Sequence, residues 1–163
     1  MFNIGNVLRD GIILTGIILV LMVLAQRINP RLFIQDYPED IQAAVPPKTR
    51  AEVRQTRWLG IPLILAMLLV PFLSTLGLKQ AGGSFSALLA NAFGVVFFFN
   101  VFDLLVLDWL IFCGMTPKSI VIPGTEGMAG YKDYGLHWRG FLKGTLLSAV
   151  LGLVIAGVVQ FIG

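Results

Sequence analysis

The chain alternates between long apolar stretches and two polar connections. Its almost purely apolar stretches cover about residues 8–28, 58–78, 85–112 and 141–162. A helix of about twenty apolar residues crosses the ~30 Å hydrocarbon core of a bilayer. The pattern therefore predicts an all-α integral membrane protein with four transmembrane helices. No internal repeat or separate soluble domain is recognisable in the sequence, so we expect a single membrane domain over residues 1–163.

The first apolar stretch also has features of a secretory signal. Val23-Leu24-Ala25 has the small-residue pattern of a cleavage site, and the apolar core is short. Arg9 is followed directly by Asp10, however, so the preceding residues lack the net positive charge that is typical of a signal. We therefore expect this stretch to be a true membrane span.

Charge predicts the orientation of these spans. Only 13% of the residues are charged, against about 25% in an average soluble domain. All 12 Lys and Arg residues except Arg9 and Lys79 lie in or beside the connections 29–57 and 113–140. Short basic loops stay in the cytoplasm, so we predict two structured cytoplasmic loops, with both termini facing away, in a bacterial-type plasma membrane. The tryptophans fall at the same predicted boundary: Trp58, Trp109 and Trp138.

The net charge of +3 and the last apolar stretch predict the partners of the protein. A basic loop face is attracted to anionic lipid of the inner leaflet, and no nucleic-acid-binding motif is recognisable, so nucleic acid is not expected as a partner. Small residues let membrane helices approach closely. The last apolar stretch has a small residue at every fourth position, so these residues share one helix face: Gly144, Ser148, Gly152 and Ala156. This face predicts either a neighbouring helix of the same chain or a second subunit, in a homo-oligomer or a larger membrane complex.

Two carboxylates stand out in the third apolar stretch. Asp103 and Asp108 are its only charged residues, and an acid at the centre of a bilayer costs about 2.5–3.5 kcal/mol. Trp109 marks the boundary, so Asp108 is expected at headgroup level and Asp103 about 8–9 Å deeper than that boundary. Asn100 nearly shares a helix face with Asp103. The pair predicts either an interhelical hydrogen bond or a water-accessible ion or ligand site.

A regular α-helix argues against joint use of the two acids. Residues five apart are separated by about 140° around the helix axis. Asp103 and Asp108 would then be poorly placed to hold one metal ion. The single cysteine, Cys113, and the single histidine, His137, also provide no recognisable metal motif. We therefore predict no metal site and no cofactor.

The loop 113–140 is the other unusual region. It is longer than most connections between neighbouring helices and is therefore a functional candidate. Its glycine amides and basic side chains are suited to holding an anion, and His137 is either a proton carrier or a surface residue. The candidates for a ligand or ion site are Asn100, Asp103, Asp108, Lys118, Lys132, His137 and Arg139.

Local signals predict how the loop 29–57 is built. Thr49 and Glu52 form the pattern of a capping box, so a helix is expected to begin near Arg50. A short helix beginning at Pro38 is expected to cover the ends of the spans and to stop at Pro46.

Three functions remain open at this point. The first is an oligomeric structural or ligand-binding membrane protein whose cytoplasmic polar site recognises an anionic ligand or a lipid headgroup. The second is a small ion or solute transporter or channel that uses Asp103 and Asn100. The third is an interfacial enzyme acting on a lipid-linked or phosphate-bearing substrate, with Asp103 and Asp108 as base or ligands. Whether the protein is an enzyme stays undecided.

Overall fold

The computed structural model describes residues 3–162. Within that range it is all-helical, and four of its helices are long and apolar enough to cross a membrane, which confirms the predicted class. Predictions about residues 1, 2 and 163 lie outside the described residues. The elements are α1 (Ile4–Ile28), a 3₁₀ helix (Pro30–Asp36), α2 (Glu39–Ala43), α3 (Arg50–Gln80), α4 (Phe85–Phe102), a π-helix that continues α4 (Asp103–Met115), a second 3₁₀ helix (Ala129–Lys132) and α5 (Tyr134–Ile162).

Two of the long helices extend beyond the predicted apolar stretches, at the ends where they meet the polar connections. α3 begins at Arg50 and α5 at Tyr134, before their apolar residues start. The connections between the long helices are therefore 29–49 and 116–133, shorter than the predicted loops. Polar first turns extend a helix beyond the hydrocarbon layer, because a helix satisfies its own backbone groups in water as well as in lipid.

Local signals for the start of α3 are confirmed. The Thr49 hydroxyl accepts a hydrogen bond from the Glu52 amide at 3.2 Å, and the Glu52 carboxylate accepts one from the Thr49 amide at 2.8 Å. Glu52 is also paired with Arg31 at 2.8 Å, which connects the first 3₁₀ helix to α3. The predicted short helix is α2, with Pro38 at its N-cap.

Helix α4 occupies the centre of the bundle. It packs most extensively against α5 and also contacts α1 and α3. One apolar cluster joins α3, α4 and α5 in the halves that lie away from the two polar connections, around Leu88, Ala156 and Val159. Another joins α1, α3 and α4 around Leu14 and Val95. The π-helix that carries the two acids continues this central helix and contacts α5 and the second 3₁₀ helix.

The small-residue face of α5 is covered by α4 of the same chain. Ser148, Gly152 and Ala156 are buried, and a Cβ atom at Gly152 would lie 2.9 Å from the backbone nitrogen of Phe93. Gly144 adjoins the side chain of Asn100 in the same way. This close approach is the packing that small residues permit.

The two polar connections pack on each other at one end of the bundle. Their apolar side chains form a separate cluster that includes Ile41, Ile122 and Tyr131. Tyr37 donates a hydrogen bond to the carbonyl of Ile120 at 2.8 Å. A second link joins the Gly130 amide to the Asp40 carboxylate at 3.0 Å. Both connections are thus ordered parts of one cap, here called the loop end.

Candidate functional site

The π-helix changes the relation between the two acids. It starts at Asp103 and ends at Met115, and its last backbone bond runs from the Thr116 amide to the Ile111 carbonyl at 2.8 Å. Hydrogen bonds from i to i+5 place residues five apart almost above one another, and π-helical turns occur frequently at functional sites. Asp103 and Asp108 therefore face the same side, and the separation expected for a regular α-helix was wrong.

Both acids line a cavity of about 680 Å³ at the loop end. The cavity lies between the α4–π helix and α5, beneath the first 3₁₀ helix and α2. It reaches from the outer loop residues down to Asn100. Its lining includes charged side chains, one histidine and one asparagine: Asp36, Glu39, Asn100, Asp103, Asp108, His137, Arg139 and Lys143.

Asp108 and His137 form a close pair in this wall. The Nδ1 atom of His137 lies 2.9 Å from the Oδ1 atom of Asp108. Phe112 packs its ring edge against the imidazole, with the ring centroids 5.0 Å apart. Within residues 3–162 the Nε2 atom of His137 is buried and has no hydrogen-bond partner. A carboxylate on Nδ1 with a free Nε2 is the usual arrangement of a histidine that exchanges protons or holds a ligand.

Asn100 and Asp103 differ in whether their side chains already have hydrogen-bond partners. The Asn100 amide donates to the Phe141 carbonyl and to the Thr145 hydroxyl, each at 3.1 Å, so this residue is an interhelical link. Asp103 is half-buried, and in the described part of the chain no hydrogen bond or ion pair to its carboxylate is found. Of the pair, Asp103 is the residue left open to a ligand.

Charges of both signs surround Asp103. Asp36, Glu39, Arg139 and Lys143 also line the cavity, and across residues 3–162 none of them has an opposite charge within 4 Å. Like Asp103, they are therefore free to interact with a bound molecule.

No family, curated protein or solved structure matches this chain. In the range 3–162, no three His, Cys, Asp or Glu residues are grouped so that they could hold a metal ion. Four apolar helices support an integral membrane protein. The chemistry of the lining residues is therefore the guide to what the cavity binds.

Two predicted candidates lie outside the cavity. Lys118 is exposed and does not line it. Lys132 donates to the Cys113 carbonyl at 2.5 Å and to the Thr116 hydroxyl at 2.8 Å, at the end of the π-helix. A cation there interacts favourably with the free carbonyls of a helix C-terminus. Lys132 therefore stabilises the end of the π-helix. The other five predicted candidates line the cavity together: Asn100, Asp103, Asp108, His137 and Arg139.

The contribution of the first loop was missing from the sequence-based candidate set. Asp36 and Glu39 lie in an acidic run that also includes Asp40, and such a run is usually a solvated surface. It faces α5 only because the loop folds back over the helix ends. The only signal available was the prediction that α2 covers the spans.

A second buried polar group at the opposite end was also missed. Asp10 is 6% exposed and pairs with Arg9 at 2.7 Å. It accepts a hydrogen bond from Ser74 at 2.6 Å, and the Asn91 amide donates to Ser74 at 2.9 Å. These contacts join α1, α3 and α4. They have the character of a packing network, since the hydrogen bonds of Ser74 with Asp10 and with Asn91 connect neighbouring helices.

Proposed function

We propose that the loop-end cavity binds the polar head of an amphipathic molecule of the bilayer that carries both a cationic and an anionic group. One observation carries this proposal: apart from the Asp108–His137 contact, the acids and bases that line the cavity are not paired with each other within residues 3–162. Asp103 is available to a cationic group, and Arg139 and Lys143 are available to an anionic one. A zwitterionic head group would satisfy both sets of charges at once.

The charge balance of the lining favours a head group with a cation. Four carboxylates, Asp36, Glu39, Asp103 and Asp108, face only two permanent cations, Arg139 and Lys143. A purely anionic head group would gain contacts with the two bases but would be repelled by the acids. We therefore propose a zwitterionic ligand in place of the purely anionic ligand that the sequence suggested.

The position of the cavity favours a molecule with a hydrocarbon chain. The cavity lies at the loop end of the long apolar helices, and a separate apolar groove of about 460 Å³ lies between α4 and α5 farther from that end. Lipid chains have no charge to satisfy and would fill such a surface. The groove is lined by Ser86, Leu89, Ala90, Phe93, Ala149 and Leu153.

Native mass spectrometry of the purified protein tests this proposal. Asp103→Asn and Lys143→Gln should each weaken phosphatidylethanolamine binding by about tenfold, since each removes a charge-assisted contact. Asp103→Asn should leave the binding of phosphatidylglycerol and diacylglycerol unchanged, because neither head group has a cation. Glu126→Gln and Lys118→Gln make the same charge changes outside the cavity and should leave binding intact. An equal effect of Asp103→Asn on the three lipids, or no effect on phosphatidylethanolamine, would contradict the proposal.

We also propose that the loop end faces the cytoplasm and both termini face away. The support is the excess of Lys and Arg in and beside the two connections that form this end. Trp109 and Trp138 lie together there, with ring centroids 6.3 Å apart, as indole rings do at a membrane boundary. A bacterial-type plasma membrane, with anionic lipid in its inner leaflet, fits this orientation.

Acid–base chemistry on the bound head group is a second candidate function. It is favoured by the Asp108–His137 contact and the unpartnered Nε2 atom. Histidine in this setting takes up or gives a proton during a reaction. The test is incubation with phosphatidylethanolamine, followed by mass analysis of the extracted lipid. A product that His137→Asn abolishes, while lipid binding persists, would establish catalysis; an unchanged lipid would exclude it for this substrate.

Transport and oligomerisation have less support. The Asn100 amide is used in links to α5, and beyond it Gly152 adjoins the backbone of Phe93. This close packing is unfavourable for a path that continues past Asn100. The small-residue face, for which either a neighbouring helix of the same chain or a second subunit was predicted, is covered by α4. Ion flux into vesicles that Asp103→Asn abolishes would revive the transport hypothesis.

A further inference from the structure

A basic groove lies on the outer face of α3, away from the loop-end cavity. Its helical members are spaced at i, i+3, i+4, i+7, i+8 and i+11, the spacing of a single helix face. The groove has a volume of about 580 Å³. It is lined by Lys48, Arg50, Val53, Arg54, Arg57, Trp58 and Ile61.

Three of its cations are free to interact with a ligand. Arg50, Arg54 and Arg57 are exposed, and no acid or carbonyl within residues 3–162 pairs with or accepts a hydrogen bond from them. Lys48 differs, because its amine donates to the Leu32 carbonyl at 2.5 Å and to the Thr56 hydroxyl at 2.9 Å. The arginines therefore supply the charge, and Lys48 forms the end wall.

The apolar members of the groove place it at the membrane surface. Trp58 is 69% exposed and Ile61 is 48% exposed. The uncharged part of α3 begins at Trp58 and continues to Leu78. An exposed tryptophan between a charged turn and an apolar helix is typical of the headgroup region of a bilayer. The arginines are therefore level with lipid phosphates.

We infer that this groove binds the head group of one anionic phospholipid. Guanidinium groups bind phosphate oxygens in a bidentate manner, and Trp58 and Ile61 offer apolar surface for the start of the acyl chains. No carboxylate lines the groove, in contrast to the loop-end cavity. The inference uses other residues than the proposed function and does not depend on it.

Phosphatidylglycerol binding, measured by native mass spectrometry against phosphatidylcholine, tests this inference. The Asp103→Asn protein, whose loop-end cavity lacks the contact proposed for a cationic head group, should retain one phosphatidylglycerol in preference to phosphatidylcholine. Neutralising Arg50, Arg54 and Arg57 with glutamine should weaken phosphatidylglycerol binding by about fivefold for each arginine removed. Replacing all three with lysine keeps the charge and the helix, and should restore part of the affinity.

The matched control neutralises three other cations, with Arg27, Lys79 and Lys118 changed to glutamine. Its net charge falls equally, but the groove is intact, so binding should stay near that of the wild type. Equal losses in the two triple variants would mean general electrostatic attraction and would overturn the site. Retained binding in the arginine-to-glutamine variant would overturn it as well. If glycerol phosphate competed at the same concentration as the lipid, the ligand would be a soluble phosphate instead.

Discussion

Tyr37 shows what a single residue does at the loop end. Its hydroxyl donates to the Ile120 carbonyl at 2.8 Å, and its ring packs edge-on against Phe112 with centroids 5.1 Å apart. It also lines the cavity. Burial raises the pKa of the Tyr37 phenol well above its ordinary value, and nearby Tyr131 and Asp36 act in the same direction. The phenol therefore stays protonated, and able to donate its hydrogen bond, at pH values at which a free tyrosine ionises.

Tyr37→Phe should lower the free energy of unfolding by about 1–2 kcal/mol, because the buried Ile120 carbonyl loses its partner. The sign of the pH effect follows from the raised pKa. The unfolded phenol ionises near pH 10 and the folded one does not, so the contribution of Tyr37 is complete below about pH 10 and is lost as the pH rises further.

Unfolding in mixed micelles between about pH 8 and 11 measures this effect. The wild type should lose more stability at alkaline pH than Tyr37→Phe does. Tyr134→Phe is the control, since Tyr134 is 43% exposed. Parallel pH curves for wild type and Tyr37→Phe would contradict the proposed role of the phenol.

At the scale of elements, the packing of α4 against α5 decides where the cavity can form. The two helices approach closely at Gly152 and Gly144. Towards the loop end, the π-helix presents Asp103 and Asp108 on the side that faces α5. The cavity therefore opens where close helix packing ends and the π-helix begins.

Gly152→Ala should destabilise this helix pair by about 1–3 kcal/mol, as overpacking does. Its Cβ atom would lie 2.9 Å from the Phe93 nitrogen and 3.0 Å from the Phe93 Cα atom, so the backbone has to shift. Gly157→Ala is a matched control on the same helix, because a Cβ atom there meets nothing within 4 Å. That change should be neutral or slightly stabilising, since alanine is the better helix former. Equal thermal unfolding midpoints for the two variants would exclude close packing at Gly152.

At the scale of the whole molecule, the two ends of the bundle differ in chemistry. The loop end has an ordered polar cap, a charged cavity and the basic groove of α3. The opposite end has the short 81–84 connection between α3 and α4 and an acidic network around Asp10. This asymmetry suits a protein that meets its ligands from one side of a membrane.

Labelling of single cysteines should determine which side that is. In a Cys113→Ala background, Gln80→Cys should react with a membrane-impermeant maleimide on intact cells, because the end with the termini is proposed to face outward. Glu126→Cys should react only after the membrane is opened. The reverse pattern would invert the proposed orientation. Both positions are exposed, so access of the reagent is not limited by burial.

Several features could be predicted from local sequence alone. The capping box at Thr49 and the start of α2 at Pro38 depend on neighbours within a few residues, and both are confirmed. The π-helix was not predicted, since the sequence from Asp103 to Met115 contains no proline, and its single glycine, Gly114, lies at the end of the segment. Asp36 and Glu39 were missed as cavity residues because no local pattern places them beside α5.

The sequence by itself determined the class of the protein and the presence of costly carboxylates in its third helix. Hydrophobic length and the cost of burying charge act locally, so they can be read along the chain. Only the tertiary structure decided which polar residues meet. Asp103 and Asp108 share a side because of π-helical hydrogen bonds, and His137 reaches Asp108 because α5 packs antiparallel to α4. These contacts depend on packing between distant segments, which the order of residues does not show.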